Sequence, residues 1–167
     1  MPLPPGEYGD SQILQVIKTT ARDLMQAFTV EGGTDLVWED VKSWNIHNRL
    51  SVPVSEYPAV FFVIPRVREI GFAIQRKRLW EVSLQIEFYF WEYEDEQDEE
   101  VAMWWIEEVS RLARITPDMT NPNPTKFKVE DWTCDGADID YFTDGSQLLL
   151  GVICATTVKI LDCRGGG

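Results

Sequence analysis

Alternation of apolar and polar residues is strongest in the middle of the chain, between residues 79 and 91. A period of two is typical of a β-strand with one buried face, so this segment predicts a long strand. The other face ends in Tyr89 and Trp91, and we therefore expect part of it to be covered as well. The apolar positions of the pattern are Trp80, Val82, Leu84, Ile86, Phe88 and Phe90.

Shorter apolar segments precede this strand. The run Ala59–Ile64 lies between Pro58 and Pro65, which predicts a short strand buried on both faces. Residues 70–74 alternate again and predict a second strand, paired with the long one. The polar stretch 34–57 contains tryptophans and isoleucine, so we expect it to form an ordered loop or a short strand.

Apolar residues spaced three to four apart predict two amphipathic helices. Asp10 or Ser11 would cap the first helix, and Gly32-Gly33 would end it. The second would span Glu99–Arg114, with acidic residues at its N-terminal end and arginines near its C-terminal end, as the helix dipole favours. The buried positions are expected to be Ile13, Ile17, Leu24 and Phe28 in the first helix, and Val101, Trp104, Trp105, Val109 and Leu112 in the second.

The last third of the chain predicts a long hairpin around Asp144-Gly145, because Asp-Gly is a preferred type I′ turn. Counting outward from that turn brings apolar residues together on one face, which supports the register. The predicted pairs are Tyr141 with Leu148, Ile139 with Leu150, and Ala137 with Val152.

Together these elements predict an α+β fold. It consists of a mainly antiparallel sheet of four to five strands with two helices packed on it, in the order α-β-β-β-α-β-β. Residues 1–167 contain no internal repeat and no long linker, so we expect a single domain with flexible ends at 1–9 and 164–167.

Charge narrows the classes of function. The chain has 28 acidic residues, 15 basic residues and one histidine, a net charge of −13. Such a surface repels phosphate backbones, which argues against wrapping nucleic acid. No apolar run is long enough to span a membrane, and residues 1–6 lack the features of a signal peptide, so we expect synthesis in the cytoplasm.

The common catalytic and cofactor motifs are absent from the sequence. It contains no GxGxxG, GxxxxGK[ST], GxSxG or HExxH, and its single histidine, His47, lies among polar residues and favours a surface role. Asp135, Asp138 and Asp140 have the oxygen ligands of a hard-cation site, but their alternation favours solvated acids on a strand. We expect no enzyme activity, no cofactor and no metal.

The three cysteines form no CxxC pair. Cys134 and Cys154 would approach each other across the hairpin if Gly136 marks a β-bulge. Buried free thiols are the favoured interpretation, because free cysteine packs as a small hydrophobic residue.

Two groups of like charge suggest contacts between copies of the chain. A basic tip and an acidic edge would allow head-to-tail association, which closes into a ring where the rotation permits. Independently solvated charges are the alternative, since exposed ion pairs contribute only about 0–1 kcal/mol. The candidate subunit or tube interface is Arg66, Arg68, Arg76, Lys77 and Arg78. The candidate acidic lumen or edge is Glu92, Glu94, Asp95, Glu96, Asp98, Asp138 and Asp140.

The order of elements resembles the tail terminator proteins of tailed bacteriophages, also called tail completion or head–tail joining proteins. The resemblance covers nearly the whole chain and is one of pattern. Besides the N-terminal helix, it is carried by Tyr57-Pro58-Ala59-Val60-Phe61-Phe62-Val63, the strand Leu79–Trp91, the helix Glu99–Arg114, and a closing hairpin that ends in Thr156-Thr157-Val158-Lys159-Ile160.

That resemblance implies a structural protein of the virion neck. It would form a ring, usually a hexamer, that stops growth of the tail tube and offers a surface to the head-side connector or stopper protein. No catalytic residue is implied. An acid-lined ring would let DNA pass without sticking, because attraction to the backbone is what slows transit.

Two other classes of function fit the composition. An acidic inhibitor or immunity-type protein would bind a basic partner, since surface charge steers association. A small enzyme using carboxylates as acid and base would need two converging carboxyl groups in a cleft, and no pair is marked out by the sequence.

Overall fold

The α+β class predicted from the sequence is confirmed. The structure, a computed structural model, describes residues 9–27, 41–46, 57–72, 77–91, 98–122, 126–144 and 147–163. Within these ranges the order of elements is the predicted one. They are α1 (Gly9–Ala27), β1 (Ser43–Asn45), β2 (Ala59–Phe72), β3 (Arg78–Trp91), α2 (Asp98–Ile115), β4 (Phe127–Asp144) and β5 (Gln147–Asp162).

The five strands form one mixed sheet in the spatial order β1-β2-β3-β5-β4. Only the short β1 runs parallel to its neighbour, and the β2–β3, β3–β5 and β5–β4 pairs are antiparallel. Helix α2 connects β3 to β4. Of the two hairpin strands that follow it, β5 pairs with β3 and lies inside the sheet, and β4 lies at its edge.

The core lies between one face of the sheet and the two helices. The alternating side chains of β3 from Val82 to Phe90 are buried, as the pattern predicts, and those of β5 from Leu150 to Ile160 lie beside them. From α2, the Trp105 ring stacks on Phe88 with 4.0 Å between ring centroids. Burial of large apolar and aromatic side chains at this layer is what holds the helices to the sheet.

Helix α1 buries one row of residues four apart, Ile13, Ile17, Ala21 and Met25. Ile13 and Ile17 were expected there, whereas Leu24 lies at the side of the row and is half-buried. The predicted cap is wrong, because the helix already includes Gly9 and thus places Asp10 and Ser11 inside its first turn. The predicted Phe28 contact and the Gly32-Gly33 stop lie outside the described residues.

Helix α2 matches its prediction to within one residue at each end. Trp105, Val109 and Leu112 are fully buried, and Val101 and Trp104 are half-buried. Glu108, also buried, accepts a hydrogen bond from Arg111 at 2.9 Å, so its charge is paired within the helix.

The prediction that Pro65 ends a strand is wrong, since β2 runs through it as one strand of 14 residues. The register with β3 shifts between Val63 and Arg66, which marks a bulge at the proline. A residue without an N–H is tolerated there because the ladder is already interrupted. Residues 70–72 of the second predicted strand therefore belong to β2 and do not form a strand of their own. Three strands still precede α2, because β1 forms within the polar stretch 34–57.

The register of the last hairpin differs from the predicted one by two residues. Asp144 pairs with Gln147, so Tyr141 lies opposite Leu150, Ile139 opposite Val152, and Ala137 opposite Cys154. The proposed turn residue Gly145 lies outside the described part of the chain. A shift of two leaves every side chain on its original face, so apolar alternation cannot distinguish the two registers.

Candidate interaction surfaces

The sheet face opposite the helices carries a row of alternating charges across four strands. Arg68 of β2 lies beside Glu81 of β3, Glu81 beside Lys159 of β5, and Lys159 beside Asp131 of β4. The Arg68 guanidinium donates to the Glu81 carboxylate at 3.0 Å. We call this side of the sheet the open face, since no described helix packs on it.

At its other end the open face is apolar and aromatic. Tyr57, Ala59 and Leu149 are buried there, with Phe61 and Tyr89 packed against them. The Tyr89 hydroxyl donates to Glu87 at 2.6 Å, and burial together with that carboxylate raises the pKa of Tyr89. Part of the mixed face of β3 is therefore covered, as its aromatic end predicts.

The basic candidates do not gather on one face. Arg66 and Arg68 lie on the open face, because they pair with Ser83 and Glu81, which alternate with the buried residues of β3. Arg78 lies on the helix side of the sheet, opposite Asp162 of β5. Lys77 precedes it and is half-buried, and Arg76 lies outside the described residues.

Two of the three described acidic candidates lie on the edge strand β4. Asp138 and Asp140 are exposed and pair with Ile153 and Gly151, which puts them on the open face near the β4–β5 hairpin. Asp98 begins α2, as expected for an acidic residue at a helix N-terminus. Glu92, Glu94, Asp95 and Glu96 lie outside the described residues.

Sequence reasoning missed three exposed apolar side chains at the two edges of the sheet. Val67 on β2 is 42% exposed, and Ile139 and Tyr141 on β4 are 41% and 47% exposed. All three lie on the helix side of the sheet, opposite buried residues such as Val82 and Val152. Alternation correctly gives their face, but it cannot show that the helices end before reaching them.

In the described part of the chain, side chains bond to backbone N–H groups at two places along β4. Near its start, the Val129 N–H donates to the side-chain oxygen of Asn121 at 2.9 Å. Near its end, the Tyr141 N–H donates to the carboxylate of its own neighbour Asp140 at 2.9 Å. A local side chain thus takes a hydrogen bond that a further strand would otherwise make.

The cysteine and aspartate candidates have structural environments. The register shifts between Cys134 and Gly136, so a β-bulge does lie there, and all three cysteines are free. Burial raises the pKa of Cys134 and of Cys154. Asp135 accepts hydrogen bonds from Thr133 and Thr157 on the open face. Within the described ranges, no three His, Cys, Asp or Glu side chains are grouped as a metal site would require.

A groove of about 330 Å³ lies between the end of α2 and the start of β4. Its lining includes Arg114 and a single carboxylate, Asp131, so it does not supply the pair that acid–base catalysis needs. The other lining residues are Ser110, Ala113, Pro117, Trp132, Thr133 and Cys134. Neither described helix has the length and apolar character of a membrane span.

Comparison with protein-family models and with curated protein sequences finds no match for this chain. The functional interpretation therefore depends on the surfaces themselves.

Proposed function

We propose that this protein is a structural component of a phage neck, a tail terminator that forms a ring on the end of the tail tube and joins it to the head-side connector. The observation that carries the proposal is the separation of charge between the two edges of one sheet. Arg66 and Arg68 lie on β2, and Asp138 and Asp140 lie on β4, three strands away.

Two different, complementary patches on opposite edges favour a head-to-tail contact between copies. Such a contact is heterologous, and repeating it produces a closed ring when the rotation between subunits divides the circle. A two-fold dimer would instead require each patch to be complementary to itself, and like charges facing each other oppose that arrangement.

The open face also supplies a negatively charged surface for the passage of DNA. Glu87, Asp138 and Asp140 lie on the half of this face nearest the β4–β5 hairpin, beside the apolar cluster around Tyr89, and Asp135 lies near the middle of β4. In the ring, these carboxylates would keep the phosphate backbone from adhering to the wall. A map of the assembled ring that places them on its outer surface would contradict this part of the proposal.

Growth of tail tubes provides the functional test. Tail-tube protein from the same phage is polymerised with and without this protein, and tube length and ends are recorded by electron microscopy. We expect one additional ring at one end of each tube and an arrest of elongation. Tubes of unchanged length with bare ends would contradict the proposal, and a monomer that binds a basic enzyme would support the inhibitor class.

A further inference from the structure

We infer that the ring is held by direct strand pairing, in which the exposed end of β4 from one copy adds antiparallel to the free edge of β2 in the next. This inference rests on the proposed ring and specifies its contact. The segments that meet are 137–140 of β4 and 66–69 of β2.

The β2 segment is an exposed strand edge. Among the described residues β1 pairs with β2 along Ala59–Phe61 alone, and residues 65–69 are all exposed. The Val60 carbonyl points to the outer side, where it accepts a hydrogen bond from Asn45 at 3.1 Å. Val60 lies opposite Phe88 and Val67 lies opposite Val82. These two β3 residues are an even number of positions apart, and backbone direction alternates along a strand. The backbone groups of Val67 therefore point outward, like those of Val60.

The β4 segment has the matching features. Residues 138–141 are exposed, and the Tyr141 N–H donates to the Asp140 side chain. Backbone groups alternate in direction along a strand, so the N–H and carbonyl of Ile139 point to the same outer side as those of Tyr141.

One register satisfies charge, side-chain face and backbone direction together. With Val67 opposite Ile139 of the next copy, the two outward-pointing residues exchange backbone hydrogen bonds and their apolar side chains meet on the helix side. The same register puts Arg66 opposite Asp140 and Arg68 opposite Asp138 on the open face. Opposite charges and apolar pairs directly across strands both stabilise pairing.

This register staggers neighbouring copies. Within one copy, Arg68 and Asp131 lie in the same row across the four strands. Asp138 lies six strand positions further along β4, because the bulge residue adds no length to the strand. At about 3.3 Å per residue, the shift is roughly 20 Å across four strands that together are about 19 Å wide. The resulting tilt of about 45° is close to that of strands in closed barrels, so the contact is compatible with a ring.

Disulfide trapping tests the register. Arg68→Cys and Asp138→Cys are introduced on separate, differently tagged chains, mixed, oxidised and run on a non-reducing gel. Residues opposite each other in a pair without hydrogen bonds have Cα atoms about 4.5 Å apart, which a disulfide can span. We expect a cross-linked heterodimer. Two controls should give no such product. The first is Arg68→Cys mixed with Asp131→Cys, which tests the unstaggered register, and the second is the parent chain with its own three cysteines.

Charge reversal supplies a second, independent readout. Arg66→Glu and Asp140→Arg should each weaken ring formation at least about tenfold, because like charges then face each other. Arg68 is left unchanged, since its guanidinium is bonded to Glu81 of the same copy. Combining the two substitutions should restore ring formation, with circular dichroism used to verify the fold of each variant. The strand pairing would be overturned if rings form but positions 68 and 138 do not cross-link, or if the combined charge-reversal variant does not regain ring formation. Either result would leave the proposed function standing. A parent chain that never forms rings would contradict the proposed function itself.

Discussion

At the scale of single residues, a buried hydroxyl connects three strands. Thr156 on β5 donates to the Leu84 carbonyl of β3 at 2.7 Å and accepts from the Trp132 indole of β4 at 3.1 Å. The sequence places Thr156 on the apolar face of its strand but gives no reason for a polar residue there. The reason lies in the tertiary contact with an indole N–H that needs an acceptor in the core.

Thr156→Val should lower the free energy of unfolding by about 1–3 kcal/mol, since it leaves a buried indole N–H without its acceptor. Thr157→Val is the matched control, because that hydroxyl bonds to the exposed Asp135 on the open face. We expect the control to stay within about 0.5 kcal/mol of the parent chain in urea unfolding. Equal losses in both variants would contradict the role given to Thr156.

The thiol of Cys154 makes stability depend on pH in the alkaline range. Burial raises the pKa of Cys154 above its ordinary value of 9.0, so the folded protein keeps the proton when the unfolded chain has lost it. The unfolded state then binds fewer protons, and stability falls as pH rises above the unfolded value.

Between pH 9 and 10 this group should remove on the order of 1 kcal/mol from the free energy of unfolding. Cys154→Ala lowers stability at every pH through the lost packing, but it should show a shallower decline with alkaline pH than the parent chain. Urea unfolding at about pH 8 and about pH 10 measures both slopes. Identical slopes would show that the Cys154 thiol does not contribute to the pH dependence.

At the scale of elements, period and spacing predict the long strand, both helices and the final hairpin, because each has a clear buried face. They fail where geometry is decided by pairing. Pro65 indicates a break, yet β2 continues, since a bulge on a sheet edge accommodates a missing N–H. The predicted hairpin register is wrong by two residues. Both registers bury the same face, so apolar alternation cannot distinguish them.

The packing of α2 on the sheet depends on one of two adjacent tryptophans. Trp105 is fully buried and stacks on Phe88, whereas Trp104 lies at the side of the helix and is half-buried. Trp105→Ala should cost about 3–5 kcal/mol, as expected for loss of a large core aromatic. Trp104→Ala should cost clearly less, and thermal or urea unfolding of the two variants compares them. Similar losses would indicate that the neighbouring indole carries as much of the contact.

At the scale of the whole molecule, the sequence shows which residues are charged but not where each charge points. The five basic candidates are close in sequence, yet Arg66 and Arg68 lie on one face of the sheet and Arg78 on the other. Ile139 and Tyr141 were expected on the apolar face of the hairpin, and they do lie on the same side of the sheet as the buried residues of β5. The structure adds that both side chains are exposed there.

Self-association is the central property of this account, and sedimentation velocity over a wide concentration range measures it most directly. Six copies of a 19.2 kDa chain would give a closed particle of about 115 kDa, with an open centre in electron micrographs. We expect a single ring species to increase with concentration at the expense of the monomer. A lone 19.2 kDa particle at all concentrations, and also in the presence of tail tubes, would contradict the account.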